Sequence, residues 1–218
     1  MSVTPESVAA LMESENWGDR QQGLHQCRQL PPDVALEFVI KGVGDSNARV
    51  RYAAVSQLAS LGQQDRPRVL PLLRDRLLTD KEADVRAAAA DTLGALQLHE
   101  AFDDLALVFR SSSEWILQMS IVAALGAFGD PRGFELLKEA LQSPEDLVRT
   151  LALSALGELG NPEAIPILLE QANSDDWQVR FRVAQALTYF RDHPEVRAVL
   201  DKLAQDKSEA VARAATAV

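Results

Sequence analysis

Ala48-Arg49-Val50-Arg51 returns along the chain as Ala83-Asp84-Val85-Arg86, Asp146-Leu147-Val148-Arg149 and Asp176-Trp177-Gln178-Val179-Arg180, and this recurrence decides the fold. Its last column reads Arg20, Arg51, Arg86, Gln118, Arg149 and Arg180, with copies 31 to 35 residues apart and an incomplete seventh copy beginning near Val211. Eight positions after the valine stand Cys27, Leu58, Leu93, Leu125, Leu156 and Leu187; eleven after it stand Leu30, Leu61, Leu96, Phe128, Leu159 and Phe190. Apolar columns at this spacing, with small residues between them, make the stripe of an α-helix that is buried on one side and closely approached by its neighbours.

The same ruler places the helix ends. Five positions before the valine come Ser14, Asp45, Asp80, Ser112, Ser143 and Ser174, residue types that satisfy free N–H groups at a helix start and are read as caps or their neighbours. Two positions later come Asn16, Asn47, Glu82, Glu114, Glu145 and Asp176, mostly anionic and suited to the positive end of the helix dipole. Gly62, Gly129-Asp130-Pro131 and Gly160-Asn161-Pro162 mark stops. Each repeat is therefore two helices. The first of each pair is expected over 5–13, 33–41, 66–78, 100–110, 131–142, 162–172 and 194–205, the second over 17–30, 46–61, 82–97, 114–128, 145–159, 176–191 and 208–218. The expectation is an all-α solenoid of about six complete helix pairs plus an unfinished terminal repeat, forming one domain over 1–218 with no linker.

Composition narrows the function. The 218 residues are 47% apolar, enough for a sizeable core, and 22 Lys+Arg against 32 Asp+Glu give a net charge of −10. That charge opposes any mechanism built on neutralising phosphates, so neither nucleic acid nor an anionic lipid surface is an expected partner, and a helical-repeat DNA glycosylase with its cationic concave face is the weakest reading. No apolar run reaches the roughly 20 residues that cross a bilayer, no signal peptide opens the chain, and a single cysteine precludes an internal disulfide; a cytoplasmic protein is expected.

The chain contains no recognisable catalytic motif. His25, His99 and His193 lie in different repeats without metal-ligand spacing, and His99-Glu100 is a single His-Glu pair where a di-iron centre needs several facing one another. No metal is expected, and the catalytic residues are unknown. Cys27 occupies the leucine column and is read as a buried small apolar side chain. The arginine column is read as a ladder joining adjacent repeats through acids and helix ends. Trp17, Trp115 and Trp177 share one column and are read as rings wedged between repeats.

These columns resemble HEAT-like repeats of the phycobilisome-lyase type over nearly the whole chain. The first third, Met1-Ser2-Val3-Thr4-Pro5-Glu6-Ser7-Val8 and then Asp45-Ser46-Asn47-Ala48-Arg49-Val50-Arg51-Tyr52-Ala53-Ala54-Val55-Ser56-Gln57-Leu58, looks like the phycobilisome degradation proteins of cyanobacteria. The resemblance implies phycobiliproteins or the phycobilisome as partner, and disassembly, with or without chromophore detachment, as the activity. It implies no required cofactor, and phycocyanobilin as a ligand. A bilin lyase-type enzyme and a generic protein-interaction adaptor are the alternatives.

Function is expected on helix columns that vary between repeats. At two, six and nine positions after the valine stand Gln21, His25 and Arg28, then Tyr52, Ser56 and Ala59, with flatter sets in the middle and Phe181, Gln185 and Thr188 near the end. The N-terminal end is the more basic and aromatic. Given the client that the resemblance implies, His25, Arg28, Arg49, Arg51 and Tyr52 are the candidate partner- or bilin-binding residues, with cations for propionates and a ring for the tetrapyrrole face.

Overall fold

The computed structural model describes residues 3–217. Met1 and Ser2 of the N-terminal stretch quoted above, and the terminal Val218, lie outside the described residues. Fourteen α-helices joined by short turns, four of them 3-10, make up the fold, with no strand among the described residues. This is an α-solenoid architecture. The chain divides into two compact units, Met1–Ile121 and Val122–Val218.

The first unit holds the pairs α1 (Pro5–Met12) and α2 (Trp17–Gln26), α3 (Pro32–Val43) and α4 (Ala48–Leu61), α5 (Arg66–Thr79) and α6 (Ala83–Ala95), then α7 (Phe102–Ser111) and the first half of α8 (Trp115–Phe128). The leucine columns form its core: Cys27, Leu58 and Leu93 are fully buried, with Leu24 beside them. Burying each such side chain contributes about 1.5 to 3 kcal/mol, which is how helices of modest intrinsic propensity persist. α2 stops short of the expected residue 30, because its end tightens into a 3-10 turn over Cys27–Gln29 before Pro31 and Pro32.

The second unit holds α9 (Gly133–Ala140) and α10 (Asp146–Leu159), α11 (Ala164–Gln171) and α12 (Trp177–Leu187), α13 (Pro194–Leu203) and α14 (Glu209–Thr216). Leu156 and Leu187 are fully buried here. α10 and α12 approach so closely that a Cβ on Gly157 would lie 2.5 Å from the Ala186 Cα. Gly160 ends α10 in the left-handed region, at φ 71°, where a side chain is strained.

The residues of the helix-start column are the neighbours of the caps, not the caps themselves. The helix caps are the second column, with Asn16, Asn47 and Asp176 accepting from backbone N–H groups two residues on. The first column instead receives the cap residue's own N–H. Ser14, Ser112, Ser143 and Ser174 accept it on Oγ at 3.2 Å, and Asp45, Asp80 and Asp206 on Oδ1 at 2.8 to 3.1 Å. A side chain two residues before the cap can close this small ring, which fixes the turn between the paired helices.

Candidate functional site

The arginine column is a ladder with missing rungs. Arg20, Arg51 and Arg180 each donate from Nε and Nη2 to one aspartate of the following repeat, Asp45, Asp80 and Asp206 respectively, at 2.6 to 2.9 Å. Each also donates from Nη1 to two carbonyls of the turn that opens its own helix. Two parallel bonds from a planar fork fix geometry as well as charge. Burial pushes the Asp45 and Asp80 carboxyls up, but the arginine forks and the cap N–H groups outweigh it and leave both below the usual carboxylate range. For Asp206 the Arg180 bonds dominate and hold it down to about 2.

Where serine replaces aspartate in the next repeat, the rung changes. Arg86 turns its Nε back to the Leu77 carbonyl, and Gln118 donates to the Ser112 carbonyl. Arg149 keeps its Nη1 bond to the Ser143 carbonyl of its own repeat and pairs with Asp146 three residues before it. The ladder reading therefore holds for Arg20, Arg51 and Arg180 and fails for Arg86 and Arg149. The residue 25 to 29 positions downstream, five before the valine of the next repeat, decides the matter.

Ladder membership settles where Arg51 points. Its guanidinium is occupied on both edges, and its side chain is 12% exposed. The other four candidates are exposed. Arg49 is seated at the start of α4, where Asn47 accepts its backbone N–H at 2.9 Å, and its guanidinium carbon lies 5.0 Å from the centre of the Trp17 ring. Trp17 opens α2 and is 37% exposed, so it lies on the surface rather than wedged between repeats. Tyr52, three residues after Arg49 on the same helix, is 48% exposed. Trp17, Arg49 and Tyr52 thus form a cation–aromatic cluster at the starts of α2 and α4. His25 sits eight residues beyond Trp17, about 12 Å along the helix axis at 1.5 Å per residue, and Arg28 follows in the 3-10 turn. The structure therefore brings Arg49 onto Trp17, with Tyr52 one turn further along α4, and places His25 and Arg28 further along α2 and its 3-10 end.

Such a cluster can hold an anionic, planar or apolar group by cation–π attraction, charge and ring contact. Cys27 is fully buried, its Sγ directed at the Leu24 carbonyl at 3.0 Å; burial pushes its thiol up against a smaller opposing effect of Arg28. No group of three or more His, Cys, Asp or Glu residues among the described residues is arranged to hold a metal ion.

The second unit carries a larger groove that the sequence reading passed over. It has a volume of about 1240 Å³ and lies along α10 and α12, with Leu147, Trp177, Phe181, Arg149 and Arg182 on its walls. Leu147 and Trp177 are 56% and 47% exposed. The signal was there: Trp177 and Phe181 stand four residues apart, which places two rings on one face of α12.

Comparison with known proteins gives the class first. The HEAT-repeat family pattern matches residues 4–94, 59–125, 73–156, 102–188 and 168–218, so the chain belongs to the HEAT-repeat family. Among solved structures it is similar to the CpcE–CpcF complex of phycocyanin lyase from Nostoc sp. PCC7120, at 19% identity and TM-score 0.65, covering 98% of this chain and 93% of that one. It is equally similar to the YIBA protein of Escherichia coli, at 17% identity and TM-score 0.65, covering 97% and 80%. At these identities the likeness shows the fold alone. No curated protein matches the sequence. No described helix is long and apolar enough to cross a membrane.

Proposed function

We propose that this HEAT-repeat protein binds phycobiliproteins and takes part in dismantling phycobilisomes, as the degradation protein NblB does, which its first third resembles. The observation that carries the reading is the cation–aromatic cluster itself. Arg49 stacked on Trp17, with Tyr52 exposed beside it, lies largely within Asp45–Leu58, the stretch that bears the resemblance. The fold shared with the phycocyanin lyase complex supports a client of that kind. In this reading Arg49 meets a carboxylate of the client or a propionate of its bilin, Trp17 and Tyr52 pack on apolar or planar surface, and His25 and Arg28 extend the contact along α2. Arg51 holds the underlying turn through Asp80.

The same fold likeness favours a second reading, a bilin lyase-type activity that attaches or detaches phycocyanobilin. It assigns the proton transfers to His25 or His99 and the grip on the tetrapyrrole to the Arg49–Tyr52 end.

The test is the double variant Arg49→Ala, Tyr52→Ala. Both side chains are exposed, so the melting temperature is expected to stay near that of wild type, whereas phycocyanin binding weakens. Raising salt weakens the wild-type complex through the charged part of the contact. A time-dependent loss of protein-bound bilin absorbance that requires this protein assigns lyase activity; binding without that loss assigns a docking module. No association of wild type with phycobiliprotein, free bilin or assembled phycobilisome at low salt removes both readings and leaves a HEAT adaptor for another client.

A further inference from the structure

The fork of Arg149 is built like those of its ladder counterparts and lacks what they hold. Arg20, Arg51 and Arg180 present the Nε–Nη2 edge to an aspartate carboxylate at 2.6 to 2.9 Å while Nη1 is anchored on their own turn. Arg149 is anchored in the same way, Nη1 to the Ser143 carbonyl, but the position corresponding to Asp45, Asp80 and Asp206 is Ser174. Serine reproduces the turn, accepting the Asp176 N–H at 3.2 Å, and supplies no carboxylate. Among the described residues, Nε of Arg149 has no hydrogen-bond partner, and Nη2 reaches only Asp146, an i,i+3 neighbour whose side chain is 84% exposed. The arginine side chain is 38% exposed and opens into the 1240 Å³ groove beside Leu147, Trp177 and Phe181.

We propose that Arg149 is the receptor for a carboxylate supplied by a protein partner: an aspartate or glutamate side chain that takes the bidentate seat, with an adjoining apolar or aromatic residue laid against Trp177, Phe181 and Leu147. The chemistry of the occupant is read from the chain's own repeats, which show three times what this fork takes when a carboxylate is within reach. Five acids line the groove, Glu135, Glu139, Asp146, Glu170 and Asp176, against Lys138, Arg149 and Arg182, so the incoming carboxylate is held by the direct bonds of the fork and not by the net charge of the groove. Glu135 is paired with Lys138, Asp176 caps α12 through the Gln178 N–H, and Asp146 is the side chain that the incoming carboxylate displaces. The site is independent of the Trp17–Arg49–Tyr52 cluster and holds whichever client that cluster binds.

The probe is a fluorescein-labelled peptide alternating Asp with Leu and Phe, compared with the same peptide carrying Asn for Asp. Anisotropy is measured on the full chain near 0.15 M salt, where a screening length of about 8 Å suppresses the repulsion from the −10 net charge more than it weakens a direct ion pair. The Asp peptide is expected to bind about tenfold or more tighter than the Asn peptide, as a charge-assisted bidentate pair does over a neutral one. Arg149→Gln removes that preference. Ser174→Asp, which returns the missing carboxylate to the ladder, also removes it while raising the melting temperature, so a folding defect cannot mimic the result. Asp146→Asn, which takes away the internal competitor, strengthens Asp-peptide binding. Equal binding of the two peptides, or a preference that survives both Arg149→Gln and Ser174→Asp, overturns the proposal. So does binding of benzoate at this arginine with no peptide bound, which makes the site one for a small carboxylate rather than a partner.

Discussion

Arg51 grips Asp80 with two nearly parallel bonds, Nε to Oδ2 at 2.7 Å and Nη2 to Oδ1 at 2.8 Å, and the Asp80 side chain has no exposed surface. Asp80 also receives Arg76 and the Glu82 backbone N–H, so one carboxylate joins two successive repeats and fixes the turn that opens α6. Removing Arg51 takes both of its bonds from that buried carboxylate and leaves it Arg76 and the Glu82 N–H, each at 3.1 Å. Arg51→Ala should therefore cost about 3 kcal/mol or more, whereas Arg149→Ala, which loses an exposed local pair, should cost about 1 kcal/mol or less. Urea unfolding of the two variants checks this, and equal costs would show that the fork to Asp80 is not what makes the rung.

The ladder gives stability an acid dependence. The Asp206 carboxyl ordinarily titrates near 3.8 and is held to about 2 in the fold, chiefly by its bonds from Arg180. A folded value below the unfolded one means that the contribution is present in full above about pH 4 and is lost as pH falls through 2. Asp45 and Asp80 shift in the same direction. Melting temperatures of wild type and Asp206→Asn should be well separated at pH 5 to 7 and converge as pH falls from about 4 to 2; a gap independent of pH would show that the charge of Asp206 is not the source of its effect.

Leu156 is fully buried on α10 in the leucine column. Leu156→Ala should destabilise the protein by about 2 to 5 kcal/mol through lost transfer energy and the cavity left behind. Chemical denaturation provides the measurement, and a cost below 1 kcal/mol would be inconsistent with a packed core at this column.

Gly157, one residue later, is set by a different constraint. A Cβ there would stand 2.5 Å from the Ala186 Cα and 2.9 Å from its carbonyl oxygen, both backbone atoms of α12. Gly157→Ala should cost at least about 1 to 3 kcal/mol, the range for overpacking, in spite of alanine's better helix propensity. A neutral or stabilising outcome would mean that α10 and α12 separate readily.

Cys27 should resist thiol reagents in the native state and react on unfolding, because its Sγ is buried against the Leu24 carbonyl and its thiol is pushed up by burial. Rapid labelling under native conditions, followed by mass spectrometry, would overturn this assignment.

Local, repeated information was legible in the sequence: an apolar residue, leucine in all but the first repeat, at one column, a turn-forming Ser or Asp before every second helix, and glycine at three of the helix stops. Each acts within a few residues or recurs in register, so the all-α repeat architecture and the burial of Cys27, Leu58, Leu93, Leu125, Leu156 and Leu187 follow from the pattern alone. Which side chains meet across repeats was settled only in three dimensions. Arg51 and Arg149 stand in one column with similar neighbours, yet one is sealed onto Asp80 and the other opens into a groove, because their fate depends on a residue 25 to 29 positions away. Trp17 looked like packing until Arg49 came to rest on its ring. A bidentate pair or a cation over an aromatic face requires two helices to arrive at a set distance and angle, and that is fixed by the packing of the helices, not by the periodicity of either one.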